Sequence, residues 1–159
     1  QTLRQGLYGW QVADCTVTLT QSGYVSPATT ARDFRLLTAL VLMSALQQAG
    51  TVVCEPMHHF QIELPADIFG RVLPVLAQLR GVPQTPVIRG SSCLLEGEIP
   101  AARVHELQQQ LPGLTRGEGV LESAFDHYQP IRGPIPRRPR SDYNPLDHKE
   151  YLLHVVRRV

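Results

Sequence analysis

Apolar and polar residues alternate with a period of two near the start of this chain and then change to a helical period. Residues 12–20 alternate and are rich in Thr and Val, which predicts a strand. Ser22-Gly23 and Ser26-Pro27 predict an exposed loop over residues 21–30. Helical spacing then predicts a helix over residues 31–49, which Gly50 ends. The predicted buried side of the strand comprises Ala13, Cys15, Val17 and Leu19, and that of the helix comprises Phe34, Leu37, Leu40, Val41, Ser44 and Ala45.

After Gly50 the pattern predicts six elements in the order strand, helix, strand, strand, helix, strand. The ranges are 57–64, 67–79, 86–91, 93–99, 102–111 and 120–128. This order is the split βαβ unit of a ferredoxin-like domain, with two helices on one face of an antiparallel sheet. The predicted core positions are Phe60, Ile62 and Leu64 on the first strand, Val72, Leu73, Leu76 and Leu79 on the first helix, and Val104, Leu107 and Leu111 on the second.

The last part of the chain is rich in proline and arginine. Five prolines fall within residues 130–145, which predicts an extended linker. An apolar pattern from Asp147 onward predicts a short terminal helix. We therefore expect an α+β chain in three parts: a partial α/β segment over residues 1–51, a ferredoxin-like domain over residues 52–128, and a linker with a helix over residues 129–159.

Composition fits a globular protein whose basic charge lies in the tail. Hydrophobic residues make up 43% and charged residues 18%, and the longest apolar stretch, residues 36–46, is too short to span a membrane. Residues 1–128 carry 8 Arg and 11 acidic residues, a net charge of −3, whereas residues 129–159 carry 6 Arg, 1 Lys and 3 acidic residues, a net charge of +4. The tail could bind phosphate, or it could be a solvated tail without a partner.

The sequence start has neither an initiator Met nor a signal-peptide pattern. We interpret the chain as a piece of a longer protein. Residues 1–51 then form only half a domain, and its unpartnered apolar face predicts strand exchange, dimerisation or disorder near the N-terminus.

We find no pattern that predicts catalysis, metal binding or disulfides. A phosphate-binding G-x-x-x-x-G-K-[ST] loop is absent. His58 and His59 would point to opposite faces of a strand, and His127 has no companion at ligand spacing. Glu96 and Glu98 share a strand face, which is more often solvated than catalytic. The three cysteines Cys15, Cys54 and Cys93 predict small buried thiols in a reducing compartment.

Several ordered motifs resemble one known family. GLYGWQVADC at residues 6–15, YVSPATT at residues 24–30 with DFR at residues 33–35, and AGTVVCEP at residues 49–56 resemble domain IV of tetracycline-resistance ribosomal protection proteins and its crossing into domain V. GEIPA at residues 97–101 and TRG at residues 115–117 fit domain V. The aromatic pair Tyr8 and Trp10 could stack on bases, although a corner packed against its own domain is the favoured interpretation.

This resemblance implies a function for the complete protein in the cytoplasm. The complete protein would bind GTP and Mg²⁺ in a domain outside this sequence, dock on the ribosome like elongation factor G, and dislodge tetracycline; this chain itself would not be an enzyme. The implied tip loop against rRNA near the drug comprises Tyr24, Val25, Ser26, Pro27, Ala28 and Thr29. The arginines expected to contact phosphates in the tail are Arg132, Arg137, Arg138 and Arg140.

Two alternatives remain open at this point. The C-terminal domains of elongation factor G share the architecture, but there we expect a tip loop with histidine and acidic residues and a chain that stops sooner after domain V. The second alternative is a ferredoxin-like domain that binds a small regulatory molecule.

Overall fold

The chain folds into two compact units, each with its own contacts. The structure is a computed structural model that describes residues 2–156, with side chains as far as residue 154. One unit is Cys54–Ile131, and the other combines the residues before Cys54 with those after Ile131. The linker and helix at the end of the sequence therefore fold together with the N-terminal residues.

In chain order the elements are a 3-10 turn Thr2–Arg4, α1 (Ala31–Ala49), β1 (Cys54–Pro65), α2 (Phe69–Gln78), β2 (Val82–Pro83), β3 (Val87–Arg89), β4 (Ser92–Pro100), α3 (Ala101–Thr115), β5 (Val120–Pro130) and α4 (His148–Val156). The predicted helix at residues 31–49 is confirmed. Helix α3 runs past residue 111 through Pro112 to Thr115. The predicted terminal helix is confirmed as α4, and the last three residues predicted for it lie outside the described residues.

Strand β1 is the centre of the sheet in the unit Cys54–Ile131. It pairs antiparallel with β4 on one side and with β5 on the other. The far edge of β4 pairs with β2 and then β3, two short pieces separated by a stretch with a second proline. Prolines are tolerated there because an edge strand has one side without ladder hydrogen bonds. This order confirms the predicted ferredoxin-like arrangement.

The core of this unit lies between the sheet and helices α2 and α3. Alternate residues of β1 and β4 point into it, as a half-buried strand requires. The buried residues are Phe60, Ile62, Leu64, Ile68, Val72, Leu76, Leu79, Leu95, Ile99, Leu107 and Leu111. The predicted core positions on β1, α2 and α3 are confirmed, with Leu73 and Val104 partly buried against the cluster.

The strand predicted over residues 12–20 is wrong. These residues have no strand structure, and Val17 and Leu19 are 60% and 79% exposed. Asp14 takes a left-handed conformation with φ of 53°, which breaks the extended run. A strand also needs a neighbour for its backbone groups, and the described residues of this unit offer none to residues 13–20. Cys15 lies in this irregular segment and is exposed. Cys54, at the start of β1, is exposed as well, so Cys93 alone of the three thiols is buried.

The predicted buried face of α1 is also wrong. Phe34, Leu37 and Val41 are exposed, whereas the buried residues are Ala39, Met43 and Leu46. Helix α1 is apolar on more than one side, so its period did not single out the covered face. The 3-10 turn Thr2–Arg4 contacts α1. The exposed apolar face is the surface on which the predicted self-association depends, and that remains a prediction.

A β-bulge in β5 corrects the predicted facing of its last residues. Met57 pairs with His127 but His58 pairs with Phe125, so Asp126 is an extra residue between them. The alternation of sides therefore shifts by one after Phe125. Tyr128 joins the side of Phe125, with ring centroids 5.1 Å apart, and His127 moves to the opposite side from the one predicted.

Because Gly97 of β4 has no side chain, strand β2 can pack closely against β4. A Cβ at this position would lie 2.3 Å from the Val82 carbonyl oxygen and 2.8 Å from the Phe60 ring. We expect Gly97→Ala to lower the free energy of unfolding of this unit by about 1–3 kcal/mol, because neither backbone nor a packed ring can move aside easily. Urea unfolding followed by far-ultraviolet circular dichroism measures this change. Gly70→Ala is the matched control, because nothing lies within 4 Å of a Cβ there; equal losses in the two variants would contradict the explanation.

Candidate nucleic-acid interface

The loop before α1 is an exposed turn that closes on itself. The Thr29 amide donates to the Val25 carbonyl over 2.7 Å, and the Val25 amide donates to the Thr29 hydroxyl over 2.9 Å. Residues 26–28 form the turn between them, and the Ser26-Pro27 peptide bond is cis. Tyr24 and Val25 are 75% and 69% exposed, so apolar surface points into solvent. The residues predicted for the tip loop therefore form one short turn that is closed by hydrogen bonds.

Asp33 fixes the passage from this loop into α1. Its carboxylate accepts hydrogen bonds from the Thr30 amide over 2.7 Å and from the Thr30 hydroxyl over 2.8 Å. These bonds to Thr30, first from the backbone and then from the side chain, lower the pKa of Asp33. The positive end of the helix dipole also stabilises a carboxylate in the first turn. The loop is thus fixed at the point where it enters α1.

The tail lies along residues 5–12, and we call the contacts between residues 5–12 and 136–142 the clasp. The Arg138 amide donates to the Tyr8 carbonyl over 2.9 Å, and the Trp10 indole N–H donates to the Pro136 carbonyl over 2.9 Å. Gln5 and Ser141 exchange two hydrogen bonds of 2.7 and 2.9 Å. The tail is therefore an ordered partner of the N-terminal residues instead of the extended linker that its prolines predicted.

Gly9 makes this close approach possible. Its φ is 81°, and a Cβ there would lie 1.9 Å from the Arg138 carbonyl oxygen. Only glycine combines that backbone conformation with that space. The sequence pattern did not identify Gln5, Gly9 or Ser141 as functional; the glycine between two aromatic residues was the available signal.

Arg140 is the charged centre of the clasp. Its guanidinium donates to the Gln5 carbonyl over 2.8 Å and to the Gly6 carbonyl over 3.1 Å, and it pairs with Asp142 at 3.0 Å. Its side chain is 16% exposed. Arg140, one of the four predicted phosphate contacts, therefore contacts other residues of its own unit.

Arg137 and Arg138 lie over aromatic rings at the edge of an open cleft. The Arg137 guanidinium carbon is 5.6 Å from the Tyr8 ring centroid, and that of Arg138 is 5.8 Å from the Trp10 ring centroid. Guanidinium groups stacked on aromatic rings keep outward N–H donors for phosphate. The cleft has a volume of about 360 Å³ and is lined by Leu7, Tyr8, Gly9, Arg137, Arg138, Pro139, Arg140 and Asn144. Arg132, the fourth predicted contact, is exposed and does not line this cleft.

Two further groups show ordinary structural roles. Burial raises the pKa of the Cys93 thiol, as expected for a thiol packed among apolar residues. Burial, and then the nearby carboxylate of Asp142, raise the pKa of Tyr151, whose hydroxyl donates to the Leu36 carbonyl over 3.1 Å. The Tyr151 contact joins α4 to α1. None of the helices among the described residues is long and apolar enough to cross a membrane.

Strand order and helix placement define the unit Cys54–Ile131 as a ferredoxin-like α+β domain. The sequence pattern of the family described as elongation factor G C-terminus matches residues 52–139, and that described as elongation factor G, domain IV matches residues 1–50. The chain belongs to the elongation factor G family and carries sequence of these two regions.

The chain is also similar to curated proteins and to a solved structure. The chain is 50% identical to the oxytetracycline resistance protein of Streptomyces rimosus over 99% of its length, and 35% identical to the tetracycline resistance protein TetP of Clostridium perfringens over 97%. It spans 24% of the length of each of these relatives. A crystal structure of a Thermus thermophilus protein matches with a TM-score of 0.75 and 25% identity, covering 82% of this chain and 20% of that one.

We expect backbone amides near the clasp to be less protected from hydrogen exchange when Arg140 is replaced. In Arg140→Ala, the Gln5 and Gly6 carbonyls lose a charged donor, which is worth about 1.5–3 kcal/mol. We expect the Gly6 and Val12 amides to exchange with solvent deuterium about ten- to a hundredfold faster. Hydrogen exchange followed by NMR measures this rate. Arg132→Ala lies outside the clasp and is the control; unchanged exchange in Arg140→Ala would contradict this role.

Proposed function

We propose that this sequence is the ribosome-binding C-terminal part of a tetracycline-resistance ribosomal protection protein. The observation that carries the proposal is the 50% identity to an oxytetracycline resistance protein over 99% of the chain. The complete protein binds the ribosome in the cytoplasm, at the site used by elongation factor G. It releases the drug through the loop at residues 24–29.

The geometry of the loop supports this role. Hydrogen bonds between Val25 and Thr29 close the turn before any partner binds. A turn that is already ordered loses less conformational entropy on docking. Its small residues Ser26, Pro27 and Ala28 allow close approach to packed rRNA. The exposed ring of Tyr24 offers a face on which a base can stack.

The tail supports a second contact, with the phosphate backbone. Arg137 and Arg138 carry outward guanidinium groups above aromatic rings, next to an open cleft. Phosphate contacts orient a protein on nucleic acid without reading its sequence, which suits a docking surface. Arg132 is exposed and adds a further positive charge to that of Arg137 and Arg138. Arg140 contributes in another way. Its hydrogen bonds to the Gln5 and Gly6 carbonyls hold the tail segment that carries Arg137 and Arg138.

GTP and Mg²⁺ belong to another part of the complete protein in this proposal. Hydrolysis there allows the factor to leave the ribosome after the drug is released. The role of this chain is binding and displacement, and it contributes no catalytic group.

The loop is tested in the full-length protein by cell-free translation with tetracycline present. We expect the wild-type protein to restore translation, and a variant with Ser26, Pro27 and Ala28 replaced by glycine to lose most of that rescue, because the flexible turn loses its shape and its contacts. The control variant replaces the exposed residues Gln47 and Gln48 at the end of α1 by alanine, and it should rescue like the wild type.

The same assay separates this function from translocation. A wild-type protein that gives no rescue, yet replaces elongation factor G in a drug-free reaction, would show that the chain comes from a translocase. Rescue by the wild type with equal rescue by the loop variant would move the drug-releasing contact away from this loop.

The tail is tested by the salt dependence of ribosome binding. Each lost phosphate contact lowers the slope of log affinity against log salt concentration by about 1. We therefore expect Arg137→Ala with Arg138→Ala to reduce this slope by about 2. The control is Arg103→Ala on α3, where the arginine already pairs with Glu106 at 3.1 Å. A double variant with the slope of the wild type would remove the tail from the interface.

A further inference from the structure

Three metal-ligating side chains converge on the face of the sheet opposite the helices. Glu98 lies on β4, and Asp126 and His127 lie on β5. One donor atom of each lies within 4.8 Å of the other two. The Asp126 carboxylate is 2.7 Å from Nδ1 of His127. Donor atoms around a bound cation are separated by a few ångströms, so this spacing needs little adjustment.

The β-bulge creates this convergence. Without an extra residue, Asp126 and His127 would point to opposite sides of the sheet. The bulge at Asp126 lets both approach the same side, opposite Met57 of β1. Met57 is buried and lies on β1, between β4 and β5. Glu98 approaches the same place from β4, where it pairs with His59.

Among the described residues, the partner of this carboxylate pair is an imidazole, since His127 contacts Asp126. Glu98 and Asp126 are both carboxylates, and among the described residues neither forms an ion pair with an arginine or lysine. Two carboxylates held close together repel each other unless a cation or a proton lies between them. A divalent cation supplies the missing charge, and the imidazole supplies a nitrogen donor.

We propose that this face of the domain binds one divalent transition-metal ion of the zinc class through Glu98, Asp126 and His127. A set of one imidazole and two carboxylates suits zinc and its first-row neighbours better than calcium or magnesium, which prefer oxygen donors alone. His59 is paired with Glu98 in the adjacent strand and is a candidate for a fourth ligand. The ion would link β4 to β5 across β1. This proposal does not depend on the function of the loop.

Calorimetric titration of zinc chloride alone into the metal-free, tag-free chain tests the site. We expect one ion per chain, with affinity reduced at least tenfold in His127→Ala and in Glu98→Gln. Glu98→Gln and Asp126→Asn keep the shape of the side chain and remove its charge, and far-ultraviolet circular dichroism of both variants shows whether they are folded. The control is His105→Ala on α3, an exposed histidine outside the cluster, which should bind like the wild type.

A second measurement assigns the ligands directly. The imidazole ¹⁵N resonances of His127 should shift on addition of one equivalent of zinc, and those of His105 should not. Absence of binding up to millimolar zinc would overturn the proposal. Equal affinity in His127→Ala and His105→Ala would overturn it too, as would a shift confined to other histidines.

Discussion

Backbone polar groups need partners, and this requirement shapes both units of the chain. In the unit Cys54–Ile131, β1 has an antiparallel neighbour on each side, so its amides and carbonyls are paired along the ladder. Residues 13–20 have a strand-like composition but no neighbouring strand among the described residues, and they remain irregular. Residues 5–12 satisfy part of the same requirement in a different way, through the tail. The presence of a partner, more than local propensity, decides which segments become strands.

Local patterns predicted the range of most elements, and they predicted the buried side where only one face of the element is apolar. Phe60, Ile62 and Leu64 alternate on β1, and this pattern identified the core side correctly because one face only of that strand meets the helices. For helix α1, the sequence pattern predicted the correct residue range but the wrong buried face. Its apolar residues surround the helix, and the buried side is chosen by distant residues such as Tyr151. No period within α1 contains that information.

The tail shows why charge alone did not predict the site. Four arginines in a proline-rich segment suggested one common use, yet the structure gives them different surroundings. Arg140 donates to main-chain carbonyls, Arg137 and Arg138 stack on aromatic rings, and Arg132 is exposed. The difference depends on residues more than 120 positions away, including Trp10, which bonds to Pro136. Contacts at that separation leave no trace in spacing or composition.

A single inserted residue explains the remaining difference between pattern and structure. Alternation along β5 holds from Val120 to Phe125 and is then shifted by the bulge at Asp126. The shift removes Tyr128 from the predicted side and places it against Phe125. It also brings His127 towards Glu98, two strands away, although nothing in their positions along the chain relates them. Because a strand has a period of two, one extra residue reverses every facing that follows it. The end of a strand beyond a bulge is therefore where new combinations of side chains arise, and where an argument from alternation alone is least able to find them.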